Sequence, residues 1–202
     1  MIGLLLLSGG IDSPVAGWLM MRKMEIAAIH FYTAEFTGTE SLAKARTLAR
    51  HLGIKTIYTV DASKAFAQVV EKAYHKYYFI FTKRLMLRTA ELIARREGME
   101  FLITGESIGQ VASQTLKNLE VITEAVSMPV ARPLLAMGKD EIIKIARKIG
   151  TLETSEGKEF CDFLGPKTPA TGAKLDIVKN EEKKLEGIAE TLAGNMKKEL
   201  IG

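Results

Sequence analysis

Short apolar runs alternate along this chain with longer segments whose apolar positions recur every three to four residues. The short runs are residues 2–7, 26–31, 54–60, 101–104 and 129–131. Between them, residues 13–23, 39–52, 62–97, 111–125 and 139–148 carry helical spacing, the third with a break around residues 76–78. Continuous apolar runs suit strands buried on both faces, and helices between them suit parallel crossovers. The pattern predicts a three-layer α/β/α fold with a parallel five-stranded sheet. Ser13 is expected to cap the first helix with Pro14 at its first position, and Gly53, Gly98 and Gly150 to stop three others.

Two stretches break the alternation. Residues 151–174 hold three glycines, two prolines and Cys161 with weak periodicity, and read as a long functional loop. Residues 176–200 read as one charged, peripheral helix with a solvated face. The expected division is a catalytic domain over residues 1–174 and a C-terminal peripheral helix over residues 175–202.

Composition narrows the function classes. The 202 residues are 47% hydrophobic and 26% charged, which suits one folded domain and argues against disorder. A net charge of +4 is compatible with an anionic ligand without demanding one. One cysteine, Cys161, excludes an internal disulfide and a zinc site of several cysteines. Residues 2–7 are too short for a signal peptide, and no run approaches the ~20 apolar residues of a spanning helix. The expected location is cytoplasmic, with no membrane partner.

The densest chemistry is SGGIDS, from Ser8 to Ser13. It follows the first strand and opens the first helix. Gly9 and Gly10 allow a tight turn that points several N–H groups at one anion. The helix start adds its positive end, and Ser8 and Ser13 add hydroxyls. The GK[ST] ending of the kinase-type loop and the G-x-G-x-x-G dinucleotide fingerprint are both missing. Asp12 beside bound phosphates would repel them unless a cation intervened, which points to Mg²⁺ held by this carboxylate and the phosphates. The other account of Asp12 is an acidic residue favoured at a helix start.

A second motif, GESIGQVASQTL from Gly105 to Leu116, follows the fourth strand, where parallel sheets form their ligand crevice. Gly105 permits a flat base to come close. Gln110 and Gln114, four apart, would share a helix face and could read an adenine edge or a ribose, or merely cap the helix.

SGGIDS resembles the PP-loop of ATP pyrophosphatases. Together, LLSGGIDSPVAGWLMMRKM and TGESIGQVASQTLKNL resemble the tRNA sulfurtransferase family, which makes 4-thiouridine in tRNA. RPLLAMGKDEIIKIARKIGT and EFCDFLGPKTPAT extend the likeness to about residues 2–174. The resemblance implies an adenine nucleotide alpha hydrolase-like fold. It implies nucleotide contacts at Leu6, Leu7, Ser8, Gly9, Gly10, Asp12, Ser13, His30, Phe31, Lys83, Gly105 and Gln114. It ties Asp12 and Lys139 to adenylation and Cys161 to sulfur transfer. His30 can stack on the base or be a satisfied core histidine. Lys83 and Lys139 can neutralise charge growing on the α-phosphate. Lys158 and Lys167 flank Cys161 and would favour its thiolate.

The implied cofactors are ATP and Mg²⁺, with no iron–sulfur cluster expected from a single cysteine. The implied partners are tRNA, presented by a separate RNA-binding protein because the loop begins at residue 8, and a sulfur donor, either sulfide or a protein persulfide. A homodimer stays open. The implied reaction is adenylation of a uridine carbonyl oxygen with release of pyrophosphate, then displacement of AMP by sulfur. Three alternatives remain: a PP-loop enzyme adenylating a small molecule, as sulfurtransferase or ligase; a nucleotide-binding module without turnover; and an RNA-binding or assembly subunit. Arg84, Arg88 and Arg95 fall near one stripe of the long helix, with Arg96 slightly off it. They read as a solvated basic face, with RNA phosphate contact as the sharper possibility.

Overall fold

A computed structural model describes residues 1–156 and 164–201 of the protein. The chain opens with β1 (Ile2–Leu6), α1 (Asp12–Met21), β2 (Glu25–Tyr32), the short α2 (Ala34–Thr37), α3 (Glu40–Leu52) and β3 (Thr56–Asp61). It continues through α4 (Ser63–Lys72), a 3₁₀ turn at His75–Tyr77 and the long α5 (Tyr78–Arg96). Then come β4 (Phe101–Ile103), α6 (Leu116–Thr123), β5 (Val130–Ala131), α7 (Lys139–Lys148) and the short α8 (Leu152–Ser155). α9 (Leu175–Glu182), α10 (Ile188–Gly194) and β6 (Lys197–Leu200) complete the fold.

All five expected strands form and run parallel, in the order β5-β4-β1-β2-β3. Alternate residues of each strand feed opposite faces. Leu4, Ile29, Tyr58 and Leu102 enter a core covered by α4, α5, α6, α9 and α10. Leu5, Ala28, Ile57 and Ile103 enter a second core covered by α1, α3 and α7. This is the expected three-layer α/β/α arrangement. Gly53, just past α3, has φ +75° and donates its N–H to the carbonyls of Ala49 and Arg50, a C-cap that a side chain would strain.

Three expectations are corrected. First, the sheet has a sixth strand: β6 pairs antiparallel with β3. Lys197, Lys198 and Glu199 hid it by reading as part of a charged helix. Residues 176–200 are therefore two short helices and a strand. Val178, Leu185, Ile188, Leu192 and Ala193 are buried in the main core. Second, the expected helix over residues 111–125 begins only at Leu116, where the Thr115 hydroxyl caps it by accepting from Asn118 N–H. A 3₁₀ turn at Ala112–Gln114 precedes it. Third, the arginine stripe is a solvated face only toward its C-terminal end, where Arg95 and Arg96 are exposed. Arg84 is fully buried, and its guanidinium grips the Glu182 carboxylate through two bonds of 2.7 Å. Arg88 also reaches Glu182, at 2.9 Å, and Arg95 pairs with Glu91 one turn away. Helical spacing was right about the stripe, but it could not show that α9 lies against it.

The strand order has a functional consequence. The chain moves outward from β1 to β3, then returns to the other side of β1 for β4 and β5. Connections leave the carboxyl ends of β1 and β4 in opposite directions, and such a reversal opens a ligand crevice.

Candidate active site

The loop from Ser8 to Ile11 leaves β1 and enters α1 without intervening secondary structure. The helix starts two residues before the expected place, with Asp12 first, Ser13 second and Pro14 third. Pro14 still falls among the four N–H positions that have no acceptor within a helix. Ser13 does not cap. Its hydroxyl oxygen accepts the Ser8 N–H at 2.8 Å and lies 2.9 Å from the Ser8 hydroxyl. Gly10 N–H donates to that Ser8 hydroxyl at 3.2 Å. These bonds set the turn around the two serines and leave α1 aimed at it.

Gly105, at the end of β4, meets the start of α1. A Cβ there would lie 2.7 Å from Ser13 N and 2.8 Å from the Asp12 carbonyl carbon. The close approach that Gly105 permits is thus to the loop's own helix. The sequence motif after β4 and the loop after β1 are two sides of one junction.

A cavity of about 150 Å³ opens beside the loop. Leu6, Leu7, Ser8, Gly9 and Gly10 form one side, and His30, Phe31, Tyr32 and Thr33 at the end of β2 form another. Phe36 and Thr37 from α2, Ser41 and Lys44 from α3, Phe66 from α4, and Tyr78 and Met86 from α5 complete the walls. The lining is mostly apolar with a few polar groups near the loop, as small-molecule sites commonly are.

His30 is a satisfied wall residue. Its Nδ1 lies 2.8 Å from the Leu7 carbonyl, which can only accept, so Nδ1 carries the proton. Nε2 is then free to accept from the Ser41 hydroxyl at 3.3 Å. The ring lies parallel to that of Tyr32, with centroids 6.4 Å apart. Burial pushes its pKa down to about 4, with the Leu7 bond opposing and the Arg46 charge assisting. The unfolded imidazole titrates near 6.5. Between those values the unfolded chain binds the extra proton, so stability is full above pH 6.5 and is lost as pH falls toward 4. The expected loss from this residue is roughly 3 kcal/mol. Denaturant unfolding at pH 7.0, 5.5 and 4.5, beside an NMR titration of the His30 ring, measures it. An imidazole that protonates near pH 6.5 in the folded protein would contradict it.

The resemblance implies a nucleotide contact at Lys83 and a part in adenylation for Lys139. Neither lines the cavity. Lys83, on α5 one turn before Met86, donates to Glu106 Oε1 at 2.8 Å. Arg132 Nε donates to the other oxygen at 2.8 Å, and the Thr104 hydroxyl adds a third bond at 3.1 Å. Burial alone would raise the Glu106 pKa, but Lys83 and Arg132 outweigh it and hold the carboxyl down to about 2. Glu106 therefore stays ionised and fixes both cations beside the Gly105 junction. Lys139 is exposed at the first position of α7, which packs alongside α1.

Gln110 and Gln114 do not share a helix face. Gln110 lies in a bend, and Gln114 ends the 3₁₀ segment. Gln110 Nε2 and Gln114 Oε1 are buried without a hydrogen-bond partner among the described residues. Cys161 and Lys158 lie outside the described residues; Lys167 lies within them.

The sequence missed Ser41 and Lys44. They sit three apart on α3, one bonded to His30 and the other laid over Gly9. Their signal was only a helical spacing that any solvated face could share.

This geometry can be set beside known proteins. A family model described as thiamine biosynthesis protein (ThiI) matches residues 2–186. The chain belongs to this family. The protein named probable tRNA sulfurtransferase from Alkaliphilus metalliredigens is 42% identical over 98% of this chain and 53% of its own length. Its namesake from Finegoldia magna is 41% identical over 91% of this chain and 49% of its own. The chain thus spans about half the length of the curated relatives it matches. A crystal structure of a 4-thiouridine synthetase–RNA complex with bound ATP is 38% identical, with a TM-score of 0.93. The likeness covers this whole chain and 55% of that one. NMN synthetase from Francisella tularensis, at 14% identity and a TM-score of 0.61, shares the fold. The family expected from the paired motifs SGGIDS and GESIGQVASQTL is the one found.

Proposed function

We propose that this domain binds ATP in the cavity beside the Ser8–Ser13 loop and adenylates a uridine carbonyl oxygen in tRNA, as the first half of 4-thiouridine synthesis. The observation that carries this is the position of the loop. Ser8, Gly9 and Gly10 of that loop line a mostly apolar cavity, and α1 begins two residues further on, at the strand ends where the connections reverse. A base fits the apolar walls and an anion fits the loop. The solved 4-thiouridine synthetase, 38% identical, is a complex with RNA and bound ATP.

In the first step O4 of the uridine attacks the α-phosphorus and pyrophosphate leaves into the loop. The bond between the α-phosphorus and the bridging oxygen breaks, and the new C4–O–P linkage makes the oxygen a good leaving group. Lys83, held by Glu106, and Lys139 are the candidate cations for charge growing on the α-phosphate. A sulfur nucleophile then adds at C4, and AMP leaves with the former O4. With hydrogen sulfide as donor this step balances as it stands. With a persulfide on Cys161, the terminal sulfur attacks and an external thiol must cleave the disulfide that results.

Mg²⁺ fits one mode better than another. Among the described residues no three His, Cys, Asp or Glu side chains cluster to hold an ion, so a cage of protein ligands is not offered there. Asp12 at the loop suits the second mode, in which one carboxylate and phosphate oxygens share the metal. When bound, it supplies neutralisation of phosphate charge. The tRNA body would be held by the half of the relatives that this chain does not match, on the same polypeptide or on a partner. Among the described residues no helix is long and apolar enough to cross a membrane, and action on cytoplasmic tRNA is in keeping with that.

The test is pyrophosphate release from ATP and Mg²⁺ with and without bulk tRNA, followed by nucleoside analysis after sulfide is added. Release that depends on tRNA, with 4-thiouridine in the digest, is the expected result. Release stimulated by small molecules and indifferent to tRNA would move the assignment to a small-molecule sulfurtransferase or ligase.

A further inference from the structure

Lys44 stands out among the cavity residues by its charge. It lies on α3, whose Ala45, Leu48 and Ala49 are buried in the core beneath α1 and α3, so the helix cannot easily shift. The side chain crosses from that helix onto the phosphate loop. A Cβ added to Gly9 would come within 3.0 Å of Lys44 Cδ, and Lys44 lines the same cavity as Ser8, Gly9 and Gly10. It is half-buried, yet it forms no ion pair among the described residues. Its Nζ donates instead to the Glu156 carbonyl at 3.1 Å.

We propose that Lys44 is a pyrophosphate-contacting residue, its ammonium closing over the β- and γ-phosphates that the Ser8–Ser13 loop cradles; this rests on the ATP assignment above. The loop itself brings N–H dipoles and hydroxyls but no formal positive charge, and Asp12 brings a negative one. A polyphosphate there needs a cation on the protein side as well as any metal. Lys44 is the cation whose stem already lies on the loop. A neutral carbonyl is a weaker partner for an ammonium than a phosphate oxygen, so exchanging Glu156 for phosphate is downhill. Lys83 forms a partly buried salt bridge with Glu106 and does not line the cavity beside the loop.

Lys44→Met keeps the apolar stem over Gly9 and removes the charge. Binding of ATP, AMP and inorganic pyrophosphate, each with Mg²⁺, is measured by calorimetry for wild type, Lys44→Met and Lys44→Arg. Lys44→Met is expected to weaken ATP and pyrophosphate by about 10–100-fold and to leave AMP within about twofold. Lys44→Arg should recover most of the difference. Lys44→Gln serves as the second removal if the methionine variant loses its fold. Equal weakening of all three ligands would place Lys44 in the cavity wall and overturn the inference, as would unchanged ATP binding. A wild type that binds neither ATP nor pyrophosphate would overturn the ATP assignment and this inference together.

Discussion

Asp12→Ala is expected to slow pyrophosphate release from ATP by about 10²–10³-fold while the domain stays folded. Asp12 is the first residue of α1, directly after the turn that Ser8 and Ser13 set. Two accounts of it differ in magnitude. As an acidic residue at a helix start it would contribute about 0.3–1 kcal/mol of stability and nothing to rate. As the protein's share of a metal–phosphate site it would lower the barrier by several kcal/mol. Asp12→Asn separates them further, because it keeps the size and removes the charge. Rates for wild type, Asp12→Ala and Asp12→Asn across a Mg²⁺ titration decide the matter. Both variants should lose rate together and need more Mg²⁺. A rate within threefold of wild type, with a small drop in thermal midpoint, would leave only the helix-start account.

Glu182→Ala is expected to destabilise the fold by about 3–5 kcal/mol, a large part of the stability of a domain this size. Glu182 on α9 is 8% exposed and holds two arginines of α5. Removing it leaves Arg84, 0% exposed, with only Glu124 and the Val121 carbonyl. A buried guanidinium stripped of its main counter-ion bears the desolvation cost without the compensating attraction. The double variant Arg84→Met/Glu182→Leu should regain most of the loss, since apolar residues of similar volume often replace a buried pair without penalty. Urea unfolding of the three proteins measures this. A single variant within 1 kcal/mol of wild type would mean that α9 is only loosely docked on α5.

Residues around these two positions differ in how much of their role was visible beforehand. The phosphate loop was legible because its chemistry is local. Ser8, Gly9, Gly10, Asp12 and Ser13 are contiguous, and a strand and a helix on either side are enough to orient them. The five parallel strands were legible for a similar reason. Their runs are mostly apolar, although Lys55, Thr56 and Thr59 interrupt the third, and turn residues or a helical segment follow them. β6 was not, because an edge strand rich in lysine has the same composition as a solvated helix and is decided by pairing with β3.

The stripe of Arg84, Arg88 and Arg95 was visible as spacing, yet its meaning changes along the helix, from buried at Arg84 to exposed at Arg95. Spacing says which residues share a face, whereas burial depends on what packs there, and α9 comes from nearly a hundred residues away. Lys83 shows the same limit, since its partner Glu106 belongs to another element and holds it away from the cavity lining. Lys44 and Ser41 carried no motif at all and became part of the site when α3 was laid beside β2. The sequence by itself determined the element types, the layered class, the family and the loop that faces the cavity, since each of these depends on neighbours along the chain. Only the tertiary structure decided which charges are buried, that Lys44 lies beside the loop and where the C-terminal residues belong, because electrostatic cost and pairing depend on distances in space.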